Sequence, residues 1–112
     1  MKSAQRKDET IIKTGSANLQ KNVESVGGKL HLTNQRLVFE SHKFNIQNGV
    51  TEFDLSSIQT VERCWTKFLG VFPIFPNSLA IYTKQGEAYR FVLFDRGAWS
   101  AAIEANRHRA NI

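Results

Sequence analysis

The stretch GGKLHLTNQRLVFES, residues 27–41, predicts the fold of this chain. In its first half Leu30 and Leu32 alternate with polar residues, TNQ then turns the chain, and apolar residues return from Leu37 to Phe39. Alternation with a period of two on both sides of a short polar turn is typical of a β-hairpin. The glycine pair at its start permits positive φ or close backbone approach, with a flexible loop as the alternative.

The same alternation extends to both sides of this hairpin. TIIKTGSANLQKN (10–22) predicts a first strand with a bend or bulge at Gly15, and Asn48-Gly49 predicts a turn before a fourth strand. IQTVERCWTKF (58–68) predicts a fifth strand, and SLAIYTKQGEAYRFVLFD (78–95) predicts a sixth and a seventh. Seven strands with no helix between them indicate antiparallel pairing in a sandwich or barrel.

The inward face of the fifth strand has two interpretations. Either Val61, Arg63 and Trp65 point inward, or Glu62 and Cys64 do. The bulk of Val61 and Trp65 favours the first set, although that choice leaves Arg63 unexplained.

The period changes after Asp95, which is predicted to be a helix N-cap. RGAWSAAIEANRHR (96–109) places Trp99, Ala102, Ile103 and Asn106 on one stripe at steps of three and four. The sequence therefore predicts one C-terminal amphipathic helix with Trp99 facing inward.

Length and composition indicate one small globular domain. The chain has 112 residues, 41% of them hydrophobic and 22% charged, which suits a single core. Residues 1–10 carry five charges and predict a flexible N-terminal arm, which leaves residues 11–112 as the domain. Because there is one cysteine and no long apolar run, we expect no disulfide and no spanning segment. These features predict a cytoplasmic protein, or one on the cytosolic face of a membrane.

No motif for catalysis stands out in the sequence. His31, His42 and His108 have no nucleophile motif beside them, and no Cys and His spacing suits a structural zinc site. His31 is predicted to lie on the outer face of its strand. Cys64 is either a small half-buried hydrophobic residue or an electropositive reactive thiol. We therefore expect no enzyme activity, no cofactor and no metal.

The hairpin resembles the signature of the GRAM domain family, a glycine-led strand of the form G-x-L-x-L-T-N-x-R-L-x-F. The matching positions are Gly28, Leu30, Leu32, Thr33, Asn34, Arg36, Leu37 and Phe39. TEFDLSSIQTVER and the final hairpin with its helix resemble later parts of the same family. The resemblance implies a mainly β, pleckstrin-homology-like fold, in which a seven-stranded antiparallel bent sheet or partly open barrel is capped by one C-terminal α-helix.

The charge balance favours anionic partners. The formal net charge is +5, which suits acidic lipid, nucleic acid or an acidic protein without selecting among them. The family resemblance implies a basic cluster around the first strands, where Lys21, Lys29 and His31 are the nearest equivalents, with His31 in place of the usual arginine. Lys21, Lys29, Arg36 and Lys43 could also attract an acidic surface more loosely. Nucleic acid is an unlikely partner because the aromatic residues alternate as core residues.

The segment WTKFLGVFPIFPNS, residues 65–78, is apolar and interrupted by Pro73 and Pro76. The prolines argue against a central strand, so residues 66–78 are predicted to be the connection between the fifth and sixth strands. It is a hydrophobic lid on the core, a contact with the bilayer interface, or a contact with a protein partner or a second copy. In the bilayer interpretation Lys67 lies at the headgroups, with Phe68, Leu69, Phe72 and Phe75 below.

The function predicted first is therefore a non-catalytic module that docks to an acidic membrane surface or lipid headgroup. The alternative is a protein-interaction or scaffolding module, including a homodimer, that binds no lipid.

Overall fold

The computed structural model describes residues 1–21, 24–42, 49–68 and 72–110. In this part of the chain seven strands precede one helix, as the sequence predicted. The elements are, in chain order, β1 (Ile11–Lys21), β2 (Glu24–Thr33), β3 (Arg36–Ser41), β4 (Val50–Asp54), a 3-10 turn (Leu55–Ser57), β5 (Ile58–Phe68), β6 (Phe72–Thr83), β7 (Ala88–Leu93) and α1 (Arg96–Ala110).

The seven strands form one antiparallel sheet with the order β4-β3-β2-β1-β7-β6-β5. The chain returns to β1 through β7, where Ala17 pairs with Leu93 and Gln20 with Arg90. Within the described residues β4 and β5 are the two edges of the sheet, so the sheet is open and is not a closed barrel. Helix α1 packs against β5, the 3-10 turn and β6 and so covers the open side.

One core lies between the bent sheet and α1. Alternate residues of the strands enter it, as the period of two requires, and Trp99 and Ile103 enter it from the helix. The buried members are Ala17, Leu19, Leu30, Leu32, Leu37, Phe39, Leu55, Ile58, Leu79, Ile81, Phe91, Leu93, Trp99 and Ile103. Val61 packs against this core, whereas Arg63 is exposed, so the predicted inward set of β5 is confirmed at Val61 and wrong at Arg63.

Helix α1 begins after Asp95, as predicted. The Asp95 Oδ1 atom accepts a hydrogen bond from the Ala98 N–H at 3.4 Å, which satisfies one donor of the first turn. Two arginines of the helix reach the edge strand: Arg96 Nη1 donates to the Cys64 carbonyl at 2.6 Å and Arg107 Nη1 to the Ile58 carbonyl at 3.1 Å. These bonds fix the helix against β5.

The irregularity of β1 lies between Ile11 and Lys13, so the predicted bulge at Gly15 is wrong. Gly15 pairs regularly with Leu30. Its missing side chain has a different reason, because a Cβ atom there would lie 3.2 Å from Cζ2 of Trp99. Gly15 therefore makes room for the indole.

Gly28 permits the close approach of β2 and β3. A Cβ atom at this position would lie 2.2 Å from the Glu40 carbonyl oxygen and 2.7 Å from the Ser41 Cα atom. Because both contacts are with backbone, the strands would have to separate. We expect Gly28→Ala to lower the free energy of unfolding by about 1 to 3 kcal/mol, as overpacking does, measured by urea denaturation.

Gly97 supplies the matched control for that substitution. A Cβ atom there meets nothing within 4 Å, and the residue lies in the first turn of α1. Gly97→Ala should therefore raise stability by roughly 0.4 to 1 kcal/mol. Equal effects of the two substitutions would contradict the packing argument.

The proline-containing segment is part of the sheet, so the prediction of a connecting loop is wrong. β5 continues to Phe68 and β6 begins at Phe72, with Lys67 paired to Pro73 and Thr66 to Phe75. β6 pairs with β7 only from Ser78 onward. Residues 72–77 therefore have a strand neighbour on one side only, a position where proline is tolerated because no second ladder needs its missing N–H.

Candidate functional site

The predicted cationic residues do not form one surface cluster within the described residues. Lys29 is exposed, and its Nζ atom donates to Ser16 Oγ at 3.1 Å. His31 and Arg36 are both buried, each with 4% of its surface exposed. The side chain of Lys21 and the whole of Lys43 lie outside the described residues.

His31 lies on the face of β2 opposite the core, as predicted, but it is not exposed. Its ring bridges two side chains: Nδ1 lies 2.8 Å from Thr14 Oγ1 and Nε2 lies 3.1 Å from Glu40 Oε1. Burial lowers the pKa of His31, and the nearby carboxylate of Glu40 only partly offsets this. A ring already bonded at both nitrogens is not available to an external anion.

Arg36 is the centre of a buried ion-pair network. Its Nε and Nη2 atoms donate to the carboxylate of Glu9 at 2.8 and 3.0 Å, and Nη1 donates to Glu52 at 2.6 Å. The hydrogen bond from Arg36 lowers the pKa of Glu9 to about 2, despite the opposing effect of burial. The guanidinium predicted to bind an external anion is therefore occupied by carboxylates of the chain itself.

Residues 1–10, predicted to be a flexible arm, make several hydrogen bonds to β3. The Glu40 carboxylate accepts from the Lys2 N–H at 3.0 Å and from both the N–H and the hydroxyl of Ser3 at 2.6 Å. Burial alone would raise the pKa of Glu40, but these hydrogen bonds outweigh it and lower the pKa to about 2. This segment covers the outer face of β2 and β3, which explains why His31 is buried.

A cleft opens where the end of β7 meets β1, and we call it the β1–β7 cleft. Its volume is about 240 Å³. Phe94 stands at its rim with 88% of its surface exposed, and Asn77 marks the point where the β5–β6 pair leaves the sheet. The lining residues are Ser16, Ala17, Asn18, Gly28, His42, Asn77, Val92, Leu93 and Phe94.

Two predicted features meet at this cleft. Lys29 bonds Ser16, which lines the cleft. Asn77 also lines the cleft, and it is where the part of the β5–β6 pair that has no pairing with β7 begins. Sequence reasoning missed Phe94 and His42 as lining residues. Phe91 and Leu93 alternate into the core, so Phe94, the residue after Leu93, occupies an outward position. This spacing is the sequence signal that could have identified Phe94 as exposed.

The apolar residues proposed for membrane or partner contact lie on the β5–β6 pair. Phe68 pairs with Phe72 in the backbone ladder. Leu69 lies outside the described residues, as do the side chains of Lys67, Phe68, Phe72 and Phe75. For Lys67, Phe68, Phe72 and Phe75 the structure therefore gives the strand and the backbone pairing.

The described residues contain no group of three or more His, Cys, Asp or Glu side chains placed to hold a metal ion. None of the helices in this part of the chain is long and apolar enough to cross a membrane.

The bent open sheet with a C-terminal helix is that of a pleckstrin-homology-like domain, and solved structures agree. The C-terminal domain of an unknown protein from Leishmania infantum matches with a TM-score of 0.74 and 14% identity, over 90% of this chain and 86% of that chain. The Vps36 N-terminal PH domain matches with a TM-score of 0.72 and 20% identity, over 96% of this chain and 85% of that chain.

A third similar structure is a larger one, the complex of PDZ-RhoGEF DH/PH domains with activated RhoA. It matches with a TM-score of 0.70 and 14% identity, over 91% of this chain but only 30% of that chain. At such identities these neighbours establish the fold alone.

The family is established by sequence. The family model of the GRAM domain matches residues 2–98, so the chain belongs to the GRAM domain family. A comparison with curated protein sequences found no match. Family and fold together indicate a module that binds membranes, lipids or proteins, and such domains typically do not catalyse reactions.

Proposed function

We propose that this domain docks to an acidic membrane surface through the β1–β7 cleft and the β5–β6 pair, and that it acts by binding rather than by catalysis. The observation that carries the proposal is the course of β6. Residues 72–77 pair with β5 but not with β7, so within the described residues this part of the two strands forms a ribbon without a third strand beside it. The sequence of this ribbon is strongly apolar.

An isolated two-stranded ribbon is marginally stable in water. A ribbon also has two faces, and only one can pack against its own domain. Apolar residues on such a ribbon gain free energy from burial in the interfacial region of a bilayer or against a partner.

The surroundings of the ribbon favour the bilayer. Phe94, 88% exposed, stands beside the ribbon base, and an exposed aromatic ring is suited to the headgroup boundary. Lys29 lies at the same cleft through its bond to Ser16, and each lysine near an anionic surface contributes about 1 kcal/mol. The net charge of +5 acts in the same direction.

Co-sedimentation with vesicles tests the proposal. The wild-type chain should bind vesicles of phosphatidylcholine with phosphatidylserine, and bind vesicles of phosphatidylcholine alone much more weakly. Phe94→Asp and Phe72→Asp should each weaken binding about tenfold or more, since a buried phenylalanine contributes about 1.5 to 3 kcal/mol. Lys29→Ala should weaken binding about fivefold, and more strongly at low salt.

Tyr82→Asp is the matched control. Tyr82 is an aromatic residue of β6, the strand that also carries Phe72, and it is 36% exposed. It lies at the other end of β6, far from the ribbon. Binding should survive this change. Vesicle binding that responds equally to Tyr82→Asp and Phe94→Asp, or that is absent altogether, would refute the proposal. An unfolded Phe72→Asp chain would instead identify the ribbon as a lid on the core.

The second candidate is a protein-interaction module. The edge of the sheet at β4 favours it, since β4 has a strand neighbour on one side only within the described residues and such an edge can accept a strand from another chain. A mass that rises with concentration in sedimentation, together with no vesicle binding, would select this function.

A further inference from the structure

The turn that carries the family signature holds the N-terminal segment, which we define as residues 2–8. Thr33 donates its hydroxyl hydrogen to Glu9 at 2.7 Å, next to the segment. Asn34 Nδ2 donates to the Asp8 carbonyl at 3.0 Å and Gln35 Nε2 to the Lys7 carbonyl at 2.7 Å. The turn thus contacts the segment through consecutive side chains.

These contacts recognise mainly the backbone of the segment. Arg36 Nη2 donates to the Ala4 carbonyl at 2.8 Å, and Glu40 accepts from the N–H groups of Lys2 and Ser3. Donors and acceptors that pair with main-chain groups hold a peptide with little dependence on its side chains. The N-terminal segment lies along the outer face of β2 and β3, and we call the part of this face that it covers the groove.

The charges of the groove select a basic peptide. Asp54 supplies a carboxylate at the end of β4, and the segment carries Lys2, Arg6 and Lys7 against one acidic residue, Asp8. Arg6 Nη1 lies 2.7 Å from Asp54 Oδ1. Opposite charges facing each other across a contact favour this partner over an acidic one.

The floor of the groove contains one apolar residue, Val38, between charged ones. Val38 is fully buried but is absent from the core cluster. Its neighbours on the same face, Arg36 and Glu40, both bond the segment, so Val38 lies beneath it. Removal of the segment would expose this valine together with His31.

We propose that the groove is a binding site for a basic peptide, that residues 2–8 occupy it as an internal ligand, and that a peptide of the same chemistry binds there from another molecule once the segment is released. This site is separate from the β1–β7 cleft and does not depend on the membrane proposal. In the wild-type chain the tethered segment competes at an effective concentration in the millimolar range, which keeps the groove occupied.

The test uses the full chain with one substitution that releases the segment. Ser3→Pro removes the N–H and the hydroxyl that bond Glu40 and leaves the groove and the core unchanged. Ser3→Ala is the matched control, because it keeps the N–H. The probe is a fluorescein-labelled peptide of residues 2–8, KSAQRKD, added at low salt and followed by fluorescence anisotropy.

We expect the Ser3→Pro chain to bind this peptide at least tenfold more tightly than the wild-type and Ser3→Ala chains. Adding Glu40→Gln to Ser3→Pro should weaken the binding about tenfold, and a peptide with glutamate in place of its lysines and arginine should not bind. Amide exchange at Lys2, measured by NMR, should speed up in Ser3→Pro.

Several results would overturn the proposal. One is a Ser3→Pro chain whose segment is released, according to amide exchange, but which binds no peptide. Another is a segment that stays protected after this substitution, since residues 2–8 would then be an integral part of the domain and not a displaceable ligand. Peptide affinity that is unchanged by Glu40→Gln would show that the peptide binds outside the groove. A gain in vesicle binding without peptide binding would assign the segment to the membrane instead.

Discussion

Trp99→Ala is expected to lower the free energy of unfolding by about 3 to 5 kcal/mol, the range measured for large aromatic residues removed from cores. Trp99 has 3% of its surface exposed and belongs to the core cluster. Its ring lies against Gly15, where a Cβ atom would be in tight contact with it, and Lys13 Nζ lies 5.2 Å from the ring centroid.

Urea denaturation at neutral pH measures this loss, and Phe94→Ala serves as the control. Phe94 is aromatic and only five residues away, but it is 88% exposed, so its truncation should change stability by no more than about 0.5 kcal/mol. Equal effects of the two substitutions would show that the helix does not close the core through Trp99.

Arg36→Met is expected to cost about 3 to 5 kcal/mol, because removal of one member of a buried ion pair leaves the other charge without compensation. The partner left behind is Glu9, whose side chain is completely buried. Glu52 is 42% exposed and can be solvated by water. The exposed pair of Arg6 and Asp54 supplies the control, and Arg6→Met should cost less than about 1 kcal/mol.

The pH dependence of stability separates this ion-pair effect from simple loss of packing. In the folded wild-type chain the pKa values of Glu9 and Glu40 are both lowered from 4.5 to about 2. A carboxyl group with a depressed folded pKa stabilises the protein above its unfolded pKa and loses that contribution as the pH falls. Wild-type stability should therefore decrease from about pH 5 towards pH 2, by roughly 3 kcal/mol for each of the two groups.

In Arg36→Met the largest influence that lowers the pKa of Glu9 is gone, and burial, which raises this pKa, is opposed only by the hydrogen bonds from Arg6 and Thr33, so the pKa rises. Glu9 then takes up its proton at a higher pH, so acid no longer removes its contribution to stability. The difference in unfolding free energy between the two chains should therefore narrow between pH 7 and pH 3. A difference that stays constant over this range would attribute the effect of Arg36 to packing.

Most of the fold could be predicted from the sequence, because the elements differ in the period of their apolar residues. Leu30, Leu32 and Phe39 alternate and form strands, whereas Trp99 and Ile103 are spaced for a helix. Proline gave a misleading signal at Pro73 and Pro76. Its cost in a strand depends on whether a neighbour needs the missing N–H, and that depends on where β7 ends.

The site was less predictable because a charged residue in a sequence does not reveal whether it pairs with another side chain of the same protein or with an external ligand. Arg36 and His31 were predicted to bind an external anion, and the structure pairs them with Glu9 and Glu40 instead. Glu9 is 27 residues from Arg36 along the chain, and no local pattern joins them.

The sequence by itself determined the number and order of the strands, the C-terminal helix, the inward indole and the family, since periodicity and the hairpin motif are local properties of the chain. Only the tertiary structure decided that the sheet stays open, that the ribbon has one neighbour at the prolines, and that the N-terminal segment covers the signature turn. Those facts depend on contacts between residues far apart in sequence, where burial and pairing decide which charges are available to a ligand.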